Sequence, residues 1–282
     1  MKSVIYYKTK RVTLNMLIHL FLILVAITCL FPLFWMVSSS LKTQETIFKD
    51  MSVFPHEFHF ENYYLAWKEG GFGRYFLNSI FYTVTVVLGI VIVSSLAAYA
   101  FSRLKFPGRN LLFYIFMAAM MIPIPGSFVA LYVLLNKLHL RNTPVGYILC
   151  MISVGLSTSI YLLKTFFDKM PQELEDTARI DGCSKIGLWW HIALPLAKPV
   201  LAVVVVFNAL NIWNEYILAL IIFDSRKLMP LQVALKSFQG EFVTNYPLLM
   251  AGLTITALPI IIIYLLMQKY IVKGVTAGAI AG

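Results

Sequence analysis

The sequence predicts an all-α membrane protein with six transmembrane helices, and three features carry that expectation. Hydrophobic residues make up 60% of the 282 and charged residues only 13%, whereas soluble domains are nearer a quarter charged. The apolar runs are long and continuous, not alternating segments of about ten residues, which favours helices over barrel strands. A single polar island, Pro171 to Pro199, separates two of these runs and holds about a third of the acidic residues. With a mean hydropathy of +0.79, the chain belongs in lipid, where backbone polar groups must pair internally.

Net charge is +10. In a soluble chain this would suggest nucleic acid, but no aromatic-basic RNA motif accompanies it. In a membrane chain it reports inner loops facing anionic lipid. Cys29, Cys150 and Cys183 are an odd set without metal-ligand spacing and read as packing residues. His19, His139 and His191 are scattered.

The elements follow in order. Lys2, Lys8, Lys10 and Arg11 precede an apolar run over about 14–37, longer than the core of a cleaved signal peptide, so it reads as an uncleaved first span. Residues 39–74 form an outer segment in which Glu61 to Lys68 reads as a short surface helix, its Tyr63, Tyr64 and Trp67 suited to the headgroup boundary. A second span covers about 75–101. Arg103, Lys105 and Arg109 mark a short inner loop around Pro107-Gly108. The third, about 111–135, is interrupted by Pro123 and Pro125, which either kink the helix toward a pathway or fit local packing. The fourth, fifth and sixth spans cover about 145–167, 200–223 and 248–270, within one membrane domain, 1–282. Fourteen of the 23 Lys and Arg residues fall on the proposed inner segments, which predicts cytoplasmic termini.

The polar island, 168–199, reads as a cytoplasmic helix-turn-helix. Pro171 suits a first helical turn, and Glu173, Glu175 and Asp176 complement the helix N-terminus. Asp181 and Gly182 end that helix, and Ser184 caps a second one reaching roughly to Ile192. Leu174, Ala178, Ile180, Ile186 and Trp189 form its apolar surface, with acidic edges. On the fifth span, Asn208, Asn211 and Glu215 fall within about 60° of one another. An acid in hydrocarbon costs on the order of 3 kcal/mol, so this stripe faces protein or water. It reads either as a translocation surface or as interhelical bonding, and Glu215 also lies close enough to the outer boundary to snorkel.

Asp176-Thr177-Ala178, three residues, Gly182, nine residues, then Ile192-Ala193-Leu194-Pro195 resembles the EAA loop of ABC importer permeases: Glu-Ala-Ala, three residues, Gly, nine residues, Ile-x-Leu-Pro. Asp176 replaces the motif's Glu, keeping the charge with a shorter reach, and Thr177 replaces its first Ala. AYAFSRLKFPGR at Ala98 to Arg109, MIPIP at Met121 to Pro125, WNEY at Trp213 to Tyr216 and the tail Gln268 to Gly282 are similar to the carbohydrate-uptake branch, of the smaller maltose-type subunit. The resemblance covers nearly the whole chain.

It implies a type I ABC importer permease fold in a prokaryotic (inner) cell membrane. It further implies a non-catalytic subunit forming half of a heterodimeric pore with a second permease subunit, a dimeric cytoplasmic ABC ATPase and an extracellular or periplasmic solute-binding protein. The chain lacks GxxxxGK[ST], so ATP and Mg would be bound by the partner ATPase and no cofactor by this chain. ATPase coupling falls on Glu175, Asp176, Ala178, Gly182, Ile192 and Pro195, with a second contact at Gly274, Gly278 and Gly282. The translocation pathway falls on Asn208, Asn211 and Glu215. The cargo expected is a carbohydrate. The alternatives are a polyol or glycerol phosphate permease, an ion-coupled carrier, for which Glu215 is the one clear intramembrane acid, and a membrane enzyme, for which HExxH, GxSxG and an intramembrane Asp pair are all absent.

Overall fold

The computed structural model describes residues 2–49, 52–121, 124–238 and 244–279, and among these the regular structure is helical throughout, without a β-strand. The chain divides into two compact units, one of residues 1–70 with 238–255, the other of residues 71–237 with 256–282.

In the first unit, helix α1 (Lys2–Ser40) carries an apolar stretch, Thr13–Ser40, long enough to cross a membrane, with an 18-residue window in which no residue is buried and with Ser38, Ser39 and Ser40 buried at its end. Pro32 lies inside it. A short helix, α2 (Thr46–Lys49), and α3 (Glu61–Glu69) follow. Lys42 is a charged residue turned inward: its Nζ donates to the Ser52 carbonyl at 2.8 Å and lies over the Trp35 ring. Asn62 donates to the carbonyls of Ser40 and Lys42, both at 2.9 Å, tying α3 to the end of α1. These bonds satisfy backbone groups that would otherwise be orphaned where α1 stops.

The second unit is built on α4 (Phe72–Arg103). After it come α5 (Arg109–Ala119), a 3₁₀ turn Ile124–Ser127, α6 (Phe128–Lys137) and α7 (Pro144–Lys169). Helices α4 and α7 form the packed centre, with Tyr82, Val86, Ile90, Tyr147, Ile160, Leu163 and Phe167 buried between neighbours. Close approach depends on missing side chains. A Cβ on Gly89 would sit 2.5 Å from Ile152 Cδ1, and one on Gly155 2.4 Å from both Ile90 Cδ1 and Asn208 Oδ1. Small residues of this kind let helix backbones meet where lipid gives no hydrophobic driving force.

The expected third span falls into two shorter helices, α5 and α6. Pro123 lies outside the described residues. Beyond α7 come α8 (Glu173–Ile180) and α9 (Lys185–Leu188), a π turn Trp189–Ala193, α10 (Leu194–Leu196) and α11 (Lys198–Trp213). The segment Lys185–Leu196 meets α11 at 80°. Pro199 at the second position of α11 has no N–H to continue the preceding ladder, and the bend sits beside it.

The expected fifth span is also divided. Helix α11 ends at Trp213, residues 214–216 are non-helical, and α12 (Ile217–Ile222) resumes. The next segment, with α13 (Leu231–Ala234), folds back onto α4. Tyr82 donates its hydroxyl to the Leu228 carbonyl at 2.8 Å, and Ser79 Oγ accepts from Leu231 N at 2.7 Å. Helix α14 (Tyr246–Ala279) then runs past the expected end of the sixth span, so Gly274 and Gly278 are helical; Gly282 lies outside the described residues. Four helices among the described residues are long and apolar enough to cross a membrane: Thr13–Ser40, Phe72–Arg103, Pro144–Lys169 and Tyr246–Lys269. The bent pair gives a fifth.

Candidate functional site

The hairpin begins where Gln172 leads into the acidic first turn of α8, Glu173, Glu175 and Asp176. Gly182 takes φ +81°, a left-handed value that costs a side-chain-bearing residue strain, and the space around it is open. Its neighbour Cys183 donates N–H to the Ala178 carbonyl at 2.9 Å, closing the helix end. Ser184 Oγ accepts from Gly187 N at 3.1 Å and caps α9, as its position predicts.

The second arm is longer than expected. It continues through the π turn into α10. Trp189, expected on the exposed face, is 8% exposed and packs inward; Trp190, one residue on, is 59% exposed. Ala178 also turns toward the core. The outward apolar face is therefore Leu174, Ile180, Ile186 and Trp190. On a 3.6-residue helix Trp190 lies about 40° from Ile186 and Trp189 about 60° to its other side, so Trp190 is the better match to the Ile186 face.

The adjacent acidic residues Glu175 and Asp176 of α8 diverge. Asp176 is exposed, and Arg179 Nη1 lies 3.1 Å from its Oδ1. Glu175 is only 2% exposed, so the structure places this expected partner contact inside the chain. Arg103 Nε lies 3.0 Å from Glu175 Oε1, Tyr99 donates its hydroxyl to Oε2 at 3.1 Å, and Arg179 Nη2 stands 3.6 Å from Oε2. Arg103 also donates to the Met170 carbonyl, at the base of the hairpin. The resemblance put Glu175 beside Asp176 at the ATPase contact. Apart from Arg179, its partners lie on α4, some seventy residues earlier, and no local signal announces them. Ile192 is half-buried and Pro195 exposed.

A second feature lies beside α7 and α11. A cavity of about 730 Å³ is lined by Met120, Phe128 and Met151 on one part and Ser157, Thr158, Asn211, Asn214, Glu215 and Tyr216 on another. The three predicted pathway residues separate there. Asn211 lines the cavity. Asn208 is buried and donates to Ser159 Oγ at 3.0 Å and to the Val204 carbonyl at 2.8 Å, pinning α11 to α7. Glu215 lies beyond the end of α11, on the cavity wall. Its carboxylate accepts from the backbone N–H groups of Leu218 and Ala219 at the start of α12 and from the Tyr147 hydroxyl. Ser157, Thr158 and Asn214 were missed. Ser153 and Ser157, one turn apart on the fourth span, were the available signal. Among the described residues no group of His, Cys, Asp or Glu is arranged to hold a metal ion.

An exposed helical hairpin between apolar helices, with a polar cavity beside the helix that follows, defines a membrane transport component. Residues 90–277 match the family described as binding-protein-dependent transport system inner membrane component, and the chain belongs to it. It is 36% identical to the probable ABC transporter permease protein YurM of Bacillus subtilis, over 94% of this chain and 87% of that one. It is 29% identical to the diacetylchitobiose uptake system permease protein NgcG of Streptomyces coelicolor, over 92% and 87% respectively. A crystal structure of a bacterial ABC transporter involved in the import of the acidic polysaccharide alginate shares the fold, with TM-score 0.81 and 24% identity over 91% of this chain and 96% of that one. The chain is thus an inner-membrane permease component of an ABC transporter complex.

Proposed function

We propose that this chain is one permease subunit of an ATP-driven importer for an uncharged carbohydrate, acting as a single domain of six spans with both termini cytoplasmic. Helices α5–α6 form the third span and α11–α12 the fifth. A second permease subunit completes the pore, a solute-binding protein delivers cargo outside, and a dimeric cytoplasmic ATPase holds ATP and Mg. The observation that carries this reading is the hairpin: an apolar face of Leu174, Ile180, Ile186 and Trp190 stands exposed beside the charged Asp176. Such a surface fits a groove on a protein partner. Asp176 pairs there with a basic residue of the ATPase, Gly182 keeps the approach close, and Ile192 and Pro195 shape the arm that leads to α11. Gly274, Gly278 and Gly282 form a second contact with the same partner. Nucleotide-driven closure then moves the spans between inward-open and outward-open states.

The cargo reading draws on relatives and on the cavity. NgcG is named for diacetylchitobiose, AraQ of Bacillus subtilis for arabinooligosaccharides and MelC for melibiose, raffinose and stachyose. Among the described residues lining the cavity are hydroxyls, amides, apolar side chains and the Glu215 carboxylate, but no Lys, Arg or His. Hydroxyls and amides suit sugar hydroxyl groups, and the Phe128 and Tyr216 rings suit the apolar face of a sugar. A phosphate or uronate would find no cation there, which weighs against glycerol phosphate as cargo. A polyol presents similar hydroxyls and is separated from a sugar only by uptake. Glu215, the acid that an ion-coupled carrier would need, is engaged by two backbone N–H groups and Tyr147.

The test is uptake in proteoliposomes containing the whole complex and its binding protein, with melibiose, raffinose, sorbitol, glycerol 3-phosphate and a galacturonate trimer as probes. ATP-dependent uptake of a neutral sugar alone supports the reading. Uptake of the anionic probes alone, of sorbitol alone, or uptake without the ATPase overturns it.

A further inference from the structure

The hairpin is continuous in sequence with α7 through Met170 and with α11 through Ala197, but it has no covalent link to α4, the helix at the centre of its unit. An enclosed polar cluster joins them instead. Glu175 is 2% exposed and the Arg103 side chain 5%. Tyr99 and Arg103 lie one helical turn apart near the end of α4, and both reach the same carboxylate. Arg103 also spans to the Met170 carbonyl, where α7 gives way to the hairpin. Tyr99 packs edge-on against Phe167 of α7, with ring centroids 5.9 Å apart. Arg103 Nε and Glu175 Oε1 meet as an ion pair without a hydrogen bond between them, so the Tyr99 hydroxyl and the Met170 carbonyl supply the cluster's hydrogen bonds, and removing either charge strands the other.

We infer that Glu175, held by Arg103 and Tyr99, is a positioning residue that fastens the hairpin to α4, so that the hairpin, the end of α4 and the end of α7 move as one body when the ATPase moves. This rests on the proposed docking of the hairpin on an ATPase, but not on the identity of the cargo. Asp176 meets the partner, whereas Glu175, the preceding residue, turns inward and hands the displacement to a helix the hairpin does not adjoin in sequence. Arg179 lies between the two carboxylates, 3.1 Å from Asp176 and 3.6 Å from Glu175, and links the docking edge to the latch.

The test uses the assembled complex in nanodiscs, with spin labels on Glu173→Cys in α8 and Leu96→Cys in α4, both exposed. Cys29, Cys150 and Cys183 are replaced by Ala. Distances are measured nucleotide-free and after trapping with ATP and vanadate. The expected result is one narrow distance, the same in both states. Glu175→Gln and Arg103→Met broaden it in both states, Arg103→Lys leaves it narrow, and the double variant Glu175→Gln/Arg103→Met is no broader than either single one. The double variant leaves no stranded charge, so it keeps the experiment readable if a single variant fails to fold.

A distance that changes on trapping in the unsubstituted complex overturns the inference. So does a Glu175→Gln or double variant that accumulates poorly while its surviving molecules keep the narrow distance, since that is what a role confined to stability produces. If vanadate traps nothing, the docking proposal fails. The nucleotide-free distances still decide whether the latch holds.

Discussion

Asn208 and Asn211 lie about one turn apart on α11 and make different contributions. Asn208 is enclosed and bonded across to Ser159, whereas Asn211 opens on the cavity. Losing an interhelical bond in a membrane protein costs about 1 kcal/mol. Asn208→Leu should therefore lower the melting temperature of the purified complex by roughly 2–4 °C, with the KM for uptake unchanged. Asn211→Leu should do the reverse, leaving the melt alone and raising KM about tenfold for one lost hydrogen bond to solute. Thermal melts and uptake kinetics on the same preparations separate the two. At Gly182 the left-handed backbone and the open space together set the outcome. Gly182→Ala should cost about 1 kcal/mol of strain. Gly182→Asp adds a charge beside the docking face and should leave the subunit inserted while abolishing its co-purification with the ATPase; undiminished co-purification would remove Gly182 from that interface.

At the scale of the element, the hairpin shows which signals sequence carries and which it does not. The acidic start of α8, its glycine stop and the Ser184 cap were legible because each is a local rule about backbone groups at helix ends. Ser184→Ala should cost about 1 kcal/mol of α9 stability and raise hydrogen-exchange rates at α9 amides about fivefold; unchanged protection would mean that packing of Trp189, not the cap, holds this arm. The π turn was not legible, and on the outer face Trp190, four residues after Ile186, stands in place of Trp189. Glu175 was misplaced for a similar reason, since its burial depends on Tyr99 and Arg103, which only the packing of α4 against α7 brings near. On the fifth span, Asn208 and Asn211 were rightly given one helical face, but the stripe ended at Trp213, before Glu215.

For the molecule as a whole, composition was enough to place the chain in a membrane as helices, because that conclusion needs only average hydropathy and run length. The boundaries were less legible wherever a span is discontinuous, as at α5–α6 and α11–α12, since proline and polar residues inside an apolar run mark an interruption without giving its form. Charge gives the remaining constraint, orientation. Arg103 and the hairpin sit at one end of α4 and α7, while Arg141, 2.5 Å from Asp224, sits at the other. The proposed topology puts the first end inside. In a cysteine-free background, His191→Cys, exposed on the hairpin away from its docking face, should react with an impermeant maleimide only after the cells are opened, and Ser225→Cys in intact spheroplasts. Both residues flank α11 and α12, so the paired result also tests whether that broken segment crosses the membrane. Labelling of both positions from the same side would mean that α11 and α12 do not form a span, and the six-span arrangement would have to be abandoned.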